Sequence, residues 1–82
     1  MQGVPRVEAK TEIRRLSDKV IYELKAPGIE KIEDIFVSKV ESGYEIKAIG
    51  KNKVYVNSLQ IDLPLRSYTL HDKGLTIEFV TQ

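Results

Sequence analysis

The sequence contains no cysteine and no tryptophan, with a single histidine and a single methionine. Without cysteine, the chain has neither a disulfide bond nor a thiolate for catalysis or metal binding. Zinc sites take three or four ligands from histidine, cysteine and carboxylate side chains, and one histidine leaves only scattered carboxylates for such a site. We therefore expect no metal and no cofactor.

An excess of charge of one sign is also missing, since 13 Lys and Arg residues are set against 12 Asp and Glu residues, for a formal net charge of +1. Nucleic-acid and membrane partners are bound through concentrated positive charge, so we expect neither. No apolar run reaches the roughly 18 residues of a membrane-spanning helix, and the N-terminus lacks a signal peptide's apolar segment. We expect a cytoplasmic protein. Abundant Ile, Lys and Glu with few Asn and Gln are typical of a thermophile.

With 82 residues, the chain has room for one domain around a small core. We predict a loose N-terminal tail at residues 1–6 and a domain at residues 7–82. Apolar and polar residues alternate in short segments separated by turn residues, as in half-buried strands. The predicted strands cover residues 7–14, 19–26, 34–40, 44–49, 53–63, 67–70 and 75–79. This pattern predicts an all-β protein, an immunoglobulin-like antiparallel β-sandwich of about seven strands.

Two segments of this pattern are less regular. Residues 29–33 are compatible with one helical turn between the second and third strands. In the segment 53–63 the apolar residues change from even to odd positions. This change of face predicts a β-bulge near Asn57 and Ser58.

Candidate catalytic residues are few. His71 lies beside Asp72 in a predicted turn with Ser67 nearby, and these are the residue types of a hydrolase triad. Neighbours in a turn do not face one another, however, and no nucleophile-elbow glycines surround a serine. A turn histidine partly exposed to water is the favoured interpretation. The acidic residues of segment 30–34 match no calcium-loop spacing, which favours a solvated turn. We expect no enzymatic activity.

A set of lysines and tyrosines offers a second alternative. Lys47, Lys51 and Lys53 lie close in sequence to Tyr44 and Tyr55, and together they could form a platform for stacking single-stranded nucleic acid. Lysines in this pattern more commonly protect strand edges, because they oppose pairing with another chain. The balanced net charge favours protection of the edges.

The order of the strand ends is the most specific feature of the sequence. Four short motifs follow one another in the chain: Pro27-Gly28, Asp34-Ile35-Phe36-Val37, Leu63-Pro64 and Gly74-Leu75-Thr76-Ile77. In this order, over residues 19–80, they resemble motifs of the alpha-crystallin domain of small heat-shock proteins. The resemblance implies a seven-to-eight-stranded immunoglobulin-like sandwich, as in CS-domain co-chaperones, and a role as a chaperone in the stress response.

The resemblance also implies a binding site for polypeptides. A chaperone-type module would hold unfolded or partner segments, in extended form, in an apolar groove between two edge strands. Carried over by position, the groove lies between residues 35–40 and residues 67–70. Its expected lining is Ile35, Val37, Tyr68 and Leu70. A register shift of one residue would exchange the first two for Phe36 and Val40.

Departures from the family pattern bear on assembly. Between Gly50 and Lys53 there is only a hairpin turn, where microbial small heat-shock proteins carry a long loop that is exchanged between subunits. The N-terminal segment is short, and the sequence ends at Gln82 without the family's Ile-x-Ile anchor. We therefore expect a monomer or small homo-oligomer rather than a large assembly. The alternative function is a CS-domain-like co-chaperone or adaptor that acts through protein–protein contacts without holding unfolded chains.

Overall fold

The computed structural model describes residues 3–81, which form short strands joined by turns. The strands are β1 (Arg6–Val7), β2 (Lys10–Arg15), β3 (Lys19–Lys25), β4 (Ile35–Val40), β5 (Gly43–Ile49), β6 (Val54–Leu59), β7 (Leu65–His71) and β8 (Gly74–Val80). One turn of 3-10 helix, Ile32–Asp34, precedes β4 and lies slightly later than the predicted helical turn. Within residues 3–81, no helix has the length and apolar character needed to cross a bilayer.

The strands of residues 3–81 form two sheets of four strands each. Sheet A has the order β1-β6-β5-β4, and sheet B has the order β2-β3-β8-β7. Neighbouring strands are antiparallel except for β1 and β6, which run parallel. The prediction of an all-β sandwich is therefore confirmed, with β1 as an additional short strand.

The core between the sheets is centred on Phe79 of β8. Its ring meets Tyr22 of sheet B edge-on at 5.6 Å and Tyr44 of sheet A at 5.0 Å, measured between ring centroids. The largest fully buried side chains are Phe79, Ile46, Leu75 and Ile77. Burial of each of these side chains contributes roughly 1.5–3 kcal/mol, so this contact between the sheets stabilises the fold.

A buried polar side chain joins the two sheets at one side of the sandwich. Asn57 of β6 is 4% exposed, and its Oδ1 accepts a hydrogen bond of 3.0 Å from the Ala9 N–H. Its Nδ2 donates to the Ala9 carbonyl at 2.9 Å. The start of β2 is therefore held beside β6. Given the strand orders of the sheets, edge strands β4 and β7 then lie together at the opposite side.

The prediction of a bulge near Asn57 and Ser58 of β6 is wrong. The strand pairs with β5 in an unbroken register that includes Asn57, and it ends at Leu59. The chain then leaves sheet A, and Ile61 and Leu63 pack into the core from the segment that crosses to sheet B. The crossing, rather than a bulge, explains the changed face of the apolar residues. An irregularity in register lies instead in β7, shortly after Pro64.

The segment predicted as one strand from residue 7 forms parts of two strands in different sheets. Arg6 and Val7 pair with β6 of sheet A, so Arg6, which was assigned to the predicted tail, belongs to β1. The chain then crosses to sheet B at Glu8 and Ala9, where β2 begins to pair with β3. Alternation of residue types continues through the crossing, which is why the sequence pattern does not reveal it.

Candidate functional site

The four residues predicted to bind polypeptide lie on the two edge strands β4 and β7. We use the name β4–β7 groove for the surface between these strands, lined by Ile35, Val37, Tyr68 and Leu70. Each side chain either belongs to the core or packs against it. The groove is therefore continuous with the core and lies where neither sheet has a further strand.

On β4, the inner face carries Ile35 and Val37. Ile35 lies opposite Ala48 of β5 and is 4% exposed, so it forms part of the core beneath the groove. Val37 lies opposite Ile46 and is half-buried. Phe36 points to the other face of the sheet and is 51% exposed. The structure thus has the register with Ile35 and Val37 inside, and not the alternative shifted by one residue.

On β7, Tyr68 and Leu70 occupy the inner face. They lie opposite Ile77 and Leu75 of β8, which are buried in the core. Both β7 side chains are half-buried. Tyr68 and Leu70 therefore form a partly exposed apolar surface beside buried core residues of β8.

The backbone of β4 is open to an additional strand. Along an antiparallel strand, alternate residues direct their N–H and C=O groups to opposite sides. The two-residue turn between Val40 and Gly43 places the even-numbered residues of β4 against β5. Consistent with this alternation, the Ile35 N–H bonds outside the sheet, to the Ile32 carbonyl. Val37 therefore directs both backbone groups to the free edge.

The backbone of β7 is open in the same way. The Val80 N–H bonds the Pro64 carbonyl at 3.0 Å, which shows that even-numbered residues of β8 bond towards β7. In the observed register the partners of these residues are the odd-numbered residues from Ser67 onward. Tyr68 and Leu70 consequently direct their N–H and C=O groups to the free edge.

Polar contacts limit the groove at one end. The Tyr44 hydroxyl donates a 2.7 Å hydrogen bond to the Leu63 carbonyl and so fixes the crossing segment before β7. Lys39, on the inner face of β4, places its ammonium group 5.4 Å from the centroid of the Tyr44 ring. A charge on the inner face of an edge strand opposes unspecific strand pairing there. The part of β4 best suited to a new strand is therefore the part around Val37.

A polar cluster that the sequence did not predict lies on the outer face of sheet B. The Thr76 hydroxyl donates to Glu23 Oε1 at 2.7 Å and lies 2.9 Å from His71 Nε2. Since the hydroxyl proton is directed to Glu23, His71 donates its Nε2 proton to Thr76 and is not placed as a base for this hydroxyl. The contacts of His71 thus differ from those of a triad with Ser67 and Asp72.

A cavity of about 400 Å³ adjoins this cluster. It is lined by Glu12, Arg14, Glu23, Leu24, Lys25, His71 and Lys73. The side chains carry both signs of charge and form loose ion pairs, such as Lys25 with Glu12 at 3.7 Å. Within residues 3–81, no buried side-chain nitrogen or oxygen lacks a hydrogen-bond partner, and no group of three or more His, Asp or Glu residues could hold a metal ion.

The alternative of a nucleic-acid platform fails on the positions of its aromatic rings. Tyr44 and Tyr55 are each 6% exposed and point into the core. The Tyr55 hydroxyl donates to the Pro27 carbonyl at 2.9 Å, so both tyrosines are held by contacts to backbone carbonyls. Bases cannot stack on rings that are buried between the sheets.

The β4–β7 groove is consequently a surface on which apolar side chains and open backbone groups coincide. Comparison of the chain with known protein families, curated proteins and solved structures gives no match.

Proposed function

We propose that this chain is a small heat-shock-protein-like chaperone or protein-binding module of the alpha-crystallin type. In this proposal, it holds extended or unfolded polypeptide segments in the β4–β7 groove and acts in the cytoplasmic stress response. It does so by noncovalent binding, without a cofactor.

The proposal is carried by the fact that the same residues supply two kinds of contact. Val37, Tyr68 and Leu70 present half-buried apolar side chains, and their N–H and C=O groups point to the free strand edges. An extended segment added to such an edge gains backbone hydrogen bonds, while its alternate side chains contact the apolar lining. About four new hydrogen bonds at roughly 1 kcal/mol each, offset by the cost of ordering the segment, give weak and reversible binding.

The motif resemblance supports the same proposal. Pro27-Gly28 follows β3 closely, Asp34 leads into β4, and Gly74 opens β8, as the resemblance implies. Leu63-Pro64 departs from the expected position, since it lies in the crossing before β7 rather than at the end of a strand. The eight strands of the described sandwich lie within the range that the resemblance implies.

Light scattering during the thermal aggregation of a client protein tests the proposal. A molar excess of this chain should slow aggregation, and Val37→Asp should remove most of the effect because it places a charge in the groove. Phe36→Asp makes a matched change on the exposed outer face of the same strand and should retain the effect. Circular dichroism of both variants checks that each remains folded.

A second measurement locates the binding surface without relying on a variant. In NMR titration with an unstructured apolar peptide, the amide signals of Val37, Tyr68 and Leu70 should shift more than those of outer-face residues. Light scattering unchanged by a molar excess of the chain, together with no partner in a pull-down, contradicts the proposal. Peptide-induced shifts confined to another surface contradict the assignment of the groove.

A CS-domain-like adaptor is the second candidate function. Its support is the connection between β5 and β6, which is a tight turn closed by a 2.8 Å hydrogen bond from the Gly50 N–H to the Lys53 carbonyl. Such a turn leaves no long loop to exchange between subunits at this point. An adaptor would bind a folded partner in the pull-down and leave client aggregation unchanged.

A further inference from the structure

We propose that two copies of this chain associate through their β2 strands, so that their B sheets join into one continuous antiparallel sheet. The proposal concerns the edge of sheet B opposite β7 and is independent of the function proposed for the β4–β7 groove. The partner it requires is a second copy of the same chain.

The β2 edge is open along its length. Within residues 3–81, β2 pairs with β3 alone, and all six of its residues are exposed. The 2.8 Å bond from the Leu16 N–H to the Lys19 carbonyl shows that even-numbered residues of this strand bond towards β3. By alternation, Thr11, Ile13 and Arg15 direct their N–H and C=O groups away from β3.

The contacts of Ala9 confirm that the odd-numbered residues direct their backbone groups away from β3. Ala9 is the preceding odd-numbered residue, and its N–H and C=O are both bonded by the Asn57 side chain. The side chain of Asn57 thus stands where the backbone of a further strand would lie. Beyond Ala9, the edge is free to receive such a strand.

The other sheet edges offer shorter or less regular stretches for strand pairing. On β4, Lys39 places a charge on the inner face near the core. On β7, a register shift between Leu65 and Ser67 interrupts the ladder after Pro64. Strand β1 has only two residues. By comparison, β2 is a regular six-residue edge without proline or bulge.

The residue order of β2 is complementary to itself in one antiparallel register. If Ile13 lies opposite Ile13 of the second copy, then Glu12 lies opposite Arg14 of the second copy, and Arg14 opposite its Glu12. Thr11 and Arg15 also face each other, and the outward backbone groups of all three odd-numbered residues are bonded. A shift that brings Glu12 opposite Glu12, or Arg14 opposite Arg14, places like charges together.

An apolar contact favours the same pairing. Ile13 is 47% exposed, and contact with its counterpart would remove apolar surface from water. An interface made by one strand of each copy is small, so we expect a dissociation constant on the order of 10 µM.

Sedimentation equilibrium of the whole chain over a range of concentrations tests the proposal. The wild-type mass should rise with concentration from 9.4 kDa to twice that value. Arg14→Glu and Glu12→Arg should each weaken association by about tenfold or more, because each places like charges opposite one another at two positions. Arg66→Glu makes a matched charge change on β7 and should leave association unchanged.

Charge reversal distinguishes the loss of this β2–β2 interface from a loss of folding. The double variant Glu12→Arg/Arg14→Glu restores opposite charges and should dimerise again. A mixture of the two single variants should form heterodimers, although each variant alone remains monomeric. In hydrogen exchange, the amides of Thr11, Ile13 and Arg15 should gain protection as concentration rises.

Three results would overturn the proposal. The first is a wild-type chain that remains monomeric at about 1 mM, well above the expected dissociation constant. The second is a dimer whose mass does not respond to Arg14→Glu. The third is a mixture of the single variants that fails to associate while circular dichroism shows both to be folded.

Discussion

Replacement of Asn57 by alanine should lower the thermal stability of the sandwich, because it leaves the Ala9 N–H without a partner and leaves the Ala9 carbonyl with only the 3.3 Å bond from the Thr11 hydroxyl. Ala9 is 5% exposed, so water reaches these groups poorly. An unsatisfied buried N–H costs about 1–3 kcal/mol and loss of the second hydrogen bond costs about 1 kcal/mol, which gives about 3 kcal/mol in all. For a domain of this size, 1 kcal/mol corresponds to roughly 4–8 °C, so the melting temperature should fall by about 12–24 °C.

Thermal unfolding followed by circular dichroism measures this effect. Ser58→Ala is the matched control, since Ser58 is the next residue of β6, is exposed and lies on the outer face. Its stability should remain within about 0.5 kcal/mol of the wild type. An Asn57→Ala variant that melts within a few degrees of Ser58→Ala would refute the role assigned to the hydrogen bonds between Asn57 and Ala9.

Asn57→Asp tests the same contacts through their dependence on pH. The introduced carboxylate can accept a hydrogen bond from the Ala9 N–H. It repels the Ala9 carbonyl, which in the wild type accepts a hydrogen bond from Asn57 Nδ2. Burial and this carbonyl should raise the pKa of the introduced carboxyl above its unfolded value of about 3.9. A raised folded-state pKa means that the variant is closest to wild-type stability at about pH 4 and loses stability as pH rises to about 7. A stability difference from wild type that does not change with pH would contradict this reasoning.

Three further substitutions test the turn after β7, the turn after β3 and the crossing segment before β7. A β-carbon at position 74 would lie 2.7 Å from the Ala26 N and would also collide with the Leu24 carbonyl, so Gly74→Ala should cost about 3 kcal/mol or more in urea unfolding. Gly28 also has positive φ, at 94°, but open space around it, and Gly28→Ala should cost only about 1–2 kcal/mol. Tyr44→Phe removes the hydrogen bond to the Leu63 carbonyl and should lower the free energy of unfolding by about 1 kcal/mol. Equal losses for the two glycine variants, or none for the tyrosine variant, would contradict these assignments.

The sequence predicted most strands because alternation and turn residues are local signals. The hairpin turns after Val40 and His71 lie where Gly43 and Gly74 indicated. Prediction failed where the chain crosses between sheets, since Ala9 and Ile61 are buried although neither belongs to a strand. A crossing segment that packs into the core keeps the apolar pattern of a strand, and only the partners in space reveal the difference.

The lining proposed for the groove was predicted from the motif resemblance and not from periodicity. Apolar residues occupy both faces of β4, with Ile35 and Val37 inside and Phe36 and Val40 outside, so alternation alone cannot select the inner face. The inner face is determined by pairing with β5, where the buried residues Ala48 and Ile46 lie opposite Ile35 and Val37.

The cluster of Glu23, Thr76 and His71 was not predictable for a different reason. Its members lie on three strands, and Glu23 meets Thr76 only through the pairing of β3 with β8. The two strands are distant in sequence, and their relative register depends on the packing of Tyr22 against Phe79. No local pattern around His71 contains this information.

The two proposed contact surfaces are compatible because they lie on opposite sides of sheet B. Strand β2 forms one edge of that sheet and β7 forms the other, with β3 and β8 between them. A dimer joined at β2 therefore leaves both β4–β7 grooves uncovered, one at each end of the continuous sheet. If the proposed function holds, two linked sites would bind separate segments of one unfolded chain, and effective concentration would strengthen the weak binding at each groove. A small dimer would in this way hold long clients without the exchange loop whose place is taken by the turn between Gly50 and Lys53.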